Sequence, residues 1–312
     1  MQSGTFGQLN FMAESSKSSL YRNGEVLIRR DFAGDDAKHS GVDVDKCQLK
    51  VIDARQLESP PDLDVNGFEL AAYDPVNLDF DFMNNVGVIN DYYPACEGLL
   101  SGRTGGRVFA FDHNIRSAGG KSGGARIHEG QNVQGPAHMV HGDYTLRSAP
   151  ERLAQLSKMP SGNDTLKGFI DKPLIPSRLI DTCQRFAIIN VWRNIDSLPV
   201  ATHPLALCDG QTVEPEDLVV FEIHYSDRIG ENYFTKAAKR HRFYYWPDMT
   251  SDEALLIKQW DSGGNLAMTA GAEADQTCEP CTFSFHTAFV PDDEQSDAPD
   301  RWSIEVRCLV IY

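Results

Sequence analysis

The sequence predicts a mainly β fold, with a double-stranded β-helix (jelly roll) core, an N-terminal α/β elaboration and peripheral helices. Runs rich in β-branched and aromatic residues follow one another after residue 180, and no helical pattern intervenes. Turn residues bound each run, which is typical of two packed antiparallel sheets. The strands predicted in this half of the chain are 185–192, 218–225, 242–246, 255–260, 282–289 and 302–312.

The first part of the chain has a different composition. In residues 1–105, short predicted strands at 26–30 and 48–52 alternate with connections rich in proline and aspartate. We expect this part to be an elaboration packed on a jelly-roll core formed by residues 106–312, within one structural domain overall. Further along, we predict a strand at 108–112, and a helix at 149–156 with Pro150 at its first position.

The segment from Ser117 to Pro136 is rich in glycine and polar residues. Such composition between periodic segments indicates a loop. We expect it to pass over the entrance of a site and to act as a lid.

The charge balance restricts the classes of partner. The 312 residues include 45 acidic and 29 basic side chains, a formal net charge of −16. This charge disfavours nucleic acid as a ligand, and no apolar run is long enough to span a bilayer. The N-terminus lacks the pattern of a secretory signal. We therefore expect a cytoplasmic protein that binds a small molecule and neither nucleic acid nor membrane; its oligomeric state is left open, a homodimer being one alternative.

Seven cysteines are spread along the chain, which agrees with a reducing compartment. Cys278 and Cys281 form a C-x-x-C, but it has no second pair and no helix behind it. We interpret them as thiols in a loop, the main alternative being a disulfide that forms when the isolated protein is oxidised.

A candidate metal site begins with His141-Gly142-Asp143. In an extended segment, residues i and i+2 point to the same side, so both side chains can reach one metal ion. His286, in an aromatic run that reads as a distant strand, supplies a third ligand. Two imidazoles and one carboxylate on one face of Fe(II) leave positions open for a co-substrate and O2. His224 and His241 compete for the third position, but we expect them to be packed or partly exposed histidines.

Arg301 and Ser303 follow His286 and point to the same face of a strand. A guanidinium group offers a planar fork for a carboxylate, and the serine hydroxyl adds a second contact. This pair suits the distal carboxylate of 2-oxoglutarate. A lone H-x-D is a weak signal, whereas the ordered series H-x-D, distal histidine and R-x-S is much more specific.

Several local sequences resemble the CmcJ/AsaB-like family of non-haem Fe(II)/2-oxoglutarate-dependent hydroxylases and desaturases of secondary metabolism. The resemblance runs from about residue 108 to the C-terminus, and the stretch 270–281 is longer than is usual in the family. It implies that His141, Asp143 and His286 ligate iron and that Arg301 anchors 2-oxoglutarate. The motifs that carry it lie at 141–145, 148–150, 189–193, 204–209, 241–245, 256–258 and 303–307.

These observations predict a dioxygenase with Fe(II), 2-oxoglutarate and O2 that oxidises an unactivated C–H bond of a small specialised metabolite. The product is hydroxylated, desaturated, cyclised or rearranged, and the sequence does not choose among these outcomes. Asp143 argues against a halogenase, because a halogenase leaves that ligand position free for halide. The candidate substrate contacts are Tyr144, Asn190, Trp192 and Tyr245, each of which can equally fill the core.

Two alternatives remain open from the sequence. One is an iron oxygenase or isomerase on the same scaffold that does not use 2-oxoglutarate. The other is a non-catalytic jelly-roll protein that binds a small ligand and whose histidines are structural. Arg301-x-Ser303, fifteen residues after His286, argues against both.

Overall fold

Two β-sheets pack against each other in the computed structural model, which describes residues 3–30, 36–73, 80–162, 164–225, 229–272, 279–295 and 297–312. The described strands are β1 Gly4–Met12, β2 Leu27–Arg30, β3 Asp36–Ser40, β4 Val44–Asp53, β5 Phe68–Ala72, β6 Arg107–Arg116, β7 His141–Gly142, β8 Phe186–Asn194, β9 Leu205–Cys208, β10 Leu218–His224, β11 Ile229–Thr235, β12 Phe243–Tyr245, β13 Glu253–Asp261, β14 His286–Ala288, β15 Val290–Pro291 and β16 Ser303–Ile311.

The larger sheet has the order β15-β1-β4-β12-β9-β14-β7-β11-β10-β2-β3, and the smaller has the order β5-β13-β8-β16-β6. Every pair of neighbours in the smaller sheet is antiparallel. This arrangement confirms the predicted mainly β, jelly-roll fold. All nine residues of β8 are buried, as a strand in the middle of a covered sheet requires.

The helices are short and lie at the periphery. They are α1 Asn85–Gly87, α2 Tyr93–Thr104, α3 Ala118–Ser122, α4 Ser148–Leu156, α5 Ser177–Asp181 and α6 Asn265–Met268, with a π-helical turn at Val88–Tyr92 and 3-10 turns at Ala54–Gln56, Gly210–Thr212 and Pro215–Asp217. The longest, α2, packs on β6 and β16, where Glu97 accepts a 2.8 Å hydrogen bond from the backbone of Ala110. In the parts of the chain that the structure describes, no helix is long and apolar enough to cross a membrane.

The N-terminal part shares both sheets with the rest of the chain. β1 pairs with β4 over nine residues, β4 pairs in parallel with β12, and β5 forms one edge of the smaller sheet. The division at residues 105/106 stays a prediction, since strands from both sides of it are hydrogen-bonded together.

The predicted strand at 282–289 is wrong in its first half, because only His286–Ala288 forms β14. The preceding residues bond to both sheets in turn. The backbone N–H of Ser284 donates to Lys258 of β13 at 2.9 Å, and the carbonyl of Phe285 accepts from Cys208 of β9 at 2.8 Å. The segment therefore crosses between the sheets instead of following one strand.

The predicted loop at 117–136 is tied back on itself and contains α3. The backbone N–H of Ser117 donates to Gln134, and that of Val133 donates to Ala125, both at 2.9 Å. Asp300 accepts from the backbone of Gly119 at the start of α3. Movement of this segment as a lid stays a prediction.

A first prediction concerns Gly264, which packs directly on the crossing segment. A Cβ atom there would lie 2.5 Å from the Cα and 2.6 Å from the backbone nitrogen of Thr282. We expect Gly264→Ala to destabilise the protein by about 1–3 kcal/mol, because backbone must move to relieve the overlap.

The matched control is Gly98→Ala in α2, where a Cβ atom meets nothing within 4 Å. It should stabilise the protein by roughly 0.5–1 kcal/mol through helix propensity. Urea unfolding of both variants measures the two effects, and equal stability of the two would contradict the prediction.

Candidate metal and dicarboxylate site

The two predicted histidines lie side by side on neighbouring strands of the larger sheet. β14 pairs with β7 so that His286 is directly opposite His141, and their ring centroids are 4.3 Å apart. Asp143 follows β7, and one ligand atom from each of the three side chains falls within 4.8 Å of the others. The structure thus brings together the three side chains that the sequence nominated.

The carboxylate of Asp143 is held by two groups from the smaller sheet. Its Oδ2 accepts from Asn190 Nδ2 at 3.0 Å and from Arg307 Nε at 3.1 Å. Burial by itself would raise the pKa of Asp143, but Arg307, with His286, His141 and Asn190, outweighs burial and holds that pKa well below its usual range. The carboxylate is ionised, as a metal ligand must be.

The orientation of His141 follows from one hydrogen bond. Its Nδ1 lies 2.7 Å from the carbonyl oxygen of Met139, which can only accept. Nδ1 therefore carries a hydrogen, and Nε2, which lies 3.6 Å from Asp143 Oδ1, is the ring nitrogen that faces Asp143.

His286 is uncharged in this setting. Burial and the nearby His141 lower its pKa to about 3 despite the opposing effect of Asp143.

Gln259, fully buried on β13, contacts both Asp143 and His286. Its Oε1 accepts from the backbone of Asp143 at 3.0 Å, and its Nε2 lies 3.4 Å from His286 Nδ1.

Two charged side chains of β16, Glu305 and Arg307, lie next to the cluster of His141, Asp143 and His286. Glu305 bonds Arg307 Nη2 through Oε1 at 3.0 Å, and its Oε2 lies 4.0 Å from His286 Nε2. Arg307 also bonds Asp112 of β6 at 2.9 Å. One guanidinium group thus pairs with carboxylates from three elements.

Arg301 lies two residues before the start of β16 and is 2% exposed. Its backbone donates to Thr202 Oγ1 at 3.1 Å, its Nη1 donates to the carbonyl of His203, and its guanidinium carbon lies 5.6 Å from the ring centroid of Trp192. Burial, together with Arg116, lowers the pKa of Arg301 to about 9. The Nε atom of Arg301 and the Oγ atom of Ser303 are buried and have no hydrogen-bond partner among the described residues.

One pocket connects the metal cluster with this arginine. Its lining combines charged, aromatic and small apolar side chains. They are Arg116, Ala137, His141, Trp192, Leu205, His286, Ala288, Arg301 and Glu305.

The four candidate substrate contacts fall in different places. Trp192 lines the pocket, whereas Asn190 bonds Asp143 and so supports the metal cluster instead of facing a substrate through Nδ2. Tyr144 packs against the main hydrophobic core beside the cluster. Tyr245 stacks edge-on against Phe289 at 5.5 Å and is not part of the pocket lining described above.

The competing histidines are engaged elsewhere. His224 Nε2 pairs with Glu222 at 2.8 Å, and His241 Nε2 pairs with Asp217 at 3.0 Å. Cys281 is buried with its thiol free, and Cys278 lies outside the described residues.

Arg116, Gln259, Glu305 and Arg307 were not predicted from the sequence as site residues. Alternation along β16 was a usable signal for two of them, since Arg301, Ser303, Glu305 and Arg307 are spaced by two and share one face. Arg116 and Gln259 carry no local signal, because only the pairing of distant strands brings them to the site.

The donor set fits Fe(II) together with a 2-oxo dicarboxylate. Two imidazoles and one ionised carboxylate converge, and the buried Nε of Arg301 in the adjoining pocket and the buried hydroxyl of Ser303, opposite the pocket residue Arg116, lack partners among the described residues. Buried polar groups without partners are uncommon in proteins, so these atoms are suited to a ligand carboxylate.

Comparisons with known proteins agree with this geometry. Residues 9–311 match the family described as the oxidoreductase/YMDC permease-like domain. An uncharacterized protein from the dcmA 3' region of Methylophilus leisingeri is 40% identical over 196 residues, covering 61% of this chain and 90% of that protein. The alpha-ketoglutarate-dependent dioxygenase phiK of a fungal species is 27% identical over 281 residues, covering 89% and 88% of the two chains.

Among solved structures, the iron and alpha-ketoglutarate-dependent endoperoxidase NvfI superposes with a TM-score of 0.70 at 23% identity, over 100% of this chain and 99% of that one. This likeness establishes the fold. The chain therefore belongs to the matched oxidoreductase family and is a relative of Fe(II)/2-oxoglutarate-dependent dioxygenases, as the resemblance of its motifs predicted.

Proposed function

We propose that the chain is a dioxygenase that uses Fe(II), 2-oxoglutarate and O2 to oxidise an unactivated C–H bond of a small specialised metabolite, by hydroxylation, desaturation, or oxidative cyclisation or rearrangement. One observation carries the proposal above all: the His141, Asp143 and His286 cluster shares a pocket with Arg301, whose buried Nε has no partner among the described residues.

In this proposal, His141, Asp143 and His286 would hold Fe(II), and the co-substrate would reach it from the pocket that His141 and His286 line. When bound, Fe(II) with 2-oxoglutarate and O2 supplies the oxidising power, releasing succinate and carbon dioxide. The other residues of the site orient these side chains. Arg307 and Asn190 hold the carboxylate of Asp143, and the carbonyl of Met139 holds the ring of His141.

Arg301 and Ser303 are proposed to bind the distal carboxylate of 2-oxoglutarate. Arg301 is oriented by Thr202, His203 and the face of Trp192, so little conformational freedom is lost when the ligand binds. The ring of Trp192 also lines the pocket beside Arg301, where it would limit the access of water to the co-substrate.

The substrate enters the proposal only by class. Trp192, Leu205, Ala137 and Ala288 give the pocket an apolar wall suited to a small carbon skeleton. We also propose a cytoplasmic location, which the cysteines spread along the chain favour, and a homodimer stays one alternative for the oligomeric state.

A second prediction tests the ligand set. We expect His141→Ala, Asp143→Ala and His286→Ala each to abolish metal-dependent turnover and to weaken Fe(II) binding, because each removes one of three ligands. Anaerobic equilibrium dialysis with Fe(II) measures the binding. His224→Ala is the control, since that histidine pairs with Glu222, and undiminished binding in any ligand variant would remove its residue from the set.

A third prediction tests the co-substrate. Anaerobic addition of Fe(II) and then 2-oxoglutarate to the metal-stripped protein should produce a visible charge-transfer band that requires both additions. Arg301→Ala should weaken 2-oxoglutarate binding by about 10- to 100-fold or more, because charge-assisted hydrogen bonds to a buried carboxylate are lost. Absence of the band in folded wild-type protein would contradict the proposed function.

A fourth prediction separates the support of Asp143 from substrate contact. We expect Asn190→Ala to weaken Fe(II) binding by about 10- to 100-fold, because groups that hydrogen-bond a metal ligand tune its position and charge. Trp192→Phe is the matched comparison, one position along the same strand face, and should leave Fe(II) binding nearly unchanged. Wild-type metal affinity in Asn190→Ala, with a raised KM for substrate, would instead support its original assignment as a substrate contact.

A further inference from the structure

Arg116 is a second arginine in the pocket, and neither the motifs nor the proposed function accounts for it. It is the last residue of β6, and the register of the smaller sheet places it directly opposite Ser303. Residues directly opposite on antiparallel strands have Cβ atoms about 5 Å apart. Arg116 therefore lies across the sheet from the Ser303 hydroxyl, and Arg301 lies two residues before Ser303 in the sequence.

The two pocket arginines differ in their pairing from Arg307 and Arg185. Arg307 pairs with Asp112, Asp143 and Glu305, and Arg185 pairs with Asp261. Within the described residues, no carboxylate lies in ion-pairing distance of Arg116 or Arg301. Their assigned hydrogen bonds go to backbone carbonyls, from Arg116 Nη1 to Gly135 at 3.0 Å and from Arg301 Nη1 to His203.

The nearest acidic groups are already engaged. Glu305, which also lines the pocket, bonds Arg307, while Asp300 accepts from the backbone of α3. The two guanidinium groups also repel each other, and this effect contributes to the lowered pKa of Arg301. Buried charges without partners are costly, so an anion placed between the two arginines would be bound strongly.

We propose that Arg116 is a co-substrate-binding residue which, together with Arg301 and Ser303, binds the distal carboxylate of 2-oxoglutarate. Arg301 offers its unpartnered Nε, Ser303 offers its unpartnered hydroxyl, and Arg116 offers a guanidinium group from the opposite strand. A carboxylate has two oxygens that together accept about four hydrogen bonds, which matches three donor groups placed around it.

The proposal rests on the proposed function and has a separable test. The probes are 2-oxoglutarate and 2-oxopentanoate, which share the 2-oxo acid that chelates iron but differ in the distal carboxylate. Dissociation constants for both come from anaerobic charge-transfer titrations of the Fe(II)-loaded protein. The variants are Arg116→Met, which removes the charge, and Arg116→Lys, which keeps it without the planar fork.

We expect Arg116→Met to weaken 2-oxoglutarate binding by at least about tenfold and to change 2-oxopentanoate binding by less than about twofold, so that the preference for the dicarboxylate falls. Arg116→Lys should recover part of that preference. Arg107→Met is the matched control, because Arg107 is exposed at the opposite end of the same strand.

Three results would overturn the inference while leaving the proposed function intact. Unchanged 2-oxoglutarate affinity in Arg116→Met would place the carboxylate on Arg301 and Ser303 alone. An equal loss for both 2-oxo acids would mean that Arg116 supports the fold of the pocket, as would a loss of Fe(II) affinity. No band in the wild-type protein would instead contradict the proposed function itself.

Discussion

Arg307 sets the charge balance on which the whole site depends. A carboxylate buried between two imidazoles would take up a proton to avoid the cost of desolvation, unless a cation lay beside it. Arg307 provides that cation for Asp143, and it also holds Asp112 from the neighbouring strand and Glu305 from its own. Breaking such a network by removing one member typically costs about 3–5 kcal/mol, because the remaining charges stay buried. The metal cluster and the smaller sheet are therefore stabilised by one shared interaction.

The fold class and part of the candidate site could be predicted from the sequence, because both depend on short-range spacing. Runs rich in β-branched and aromatic residues mark strands such as β8, β13 and β16, and alternation with a period of two places His141 beside Asp143 and Arg301 beside Ser303. β7 itself could not be predicted, since two residues carry no periodicity. His286 was predicted as a ligand, and it does lie in the cluster with His141 and Asp143, even though the strand predicted for its segment began too early.

The unpredicted parts depend on which distant strands meet. Gln259 and Arg116 reach the site only because β13 and β6 lie in the smaller sheet with their inner faces towards β7 and β14. Asn190 was predicted to share a face of β8 with Trp192 and to contact a substrate. The sequence does not reveal that Asp143 Oδ2 lies 3.0 Å from the Asn190 amide nitrogen. For a polar residue on an inner face, its partner cannot be inferred without the packing of the two sheets.

The crossing segment before His286 ties the two sheets together at one corner of the site. Ser284 is bonded to β13 of one sheet, and Phe285 to β9 of the other, immediately before the histidine. A fluctuation that parts the two sheets at this corner would separate Asp143 from Asn190 and Arg307, the groups of the smaller sheet that hold its carboxylate, while His141 and His286 stay paired in the larger sheet. Because an ion that binds only the closed arrangement lowers the population of the open one, hydrogen exchange of the amides along β13 and β9 would slow as the metal site fills.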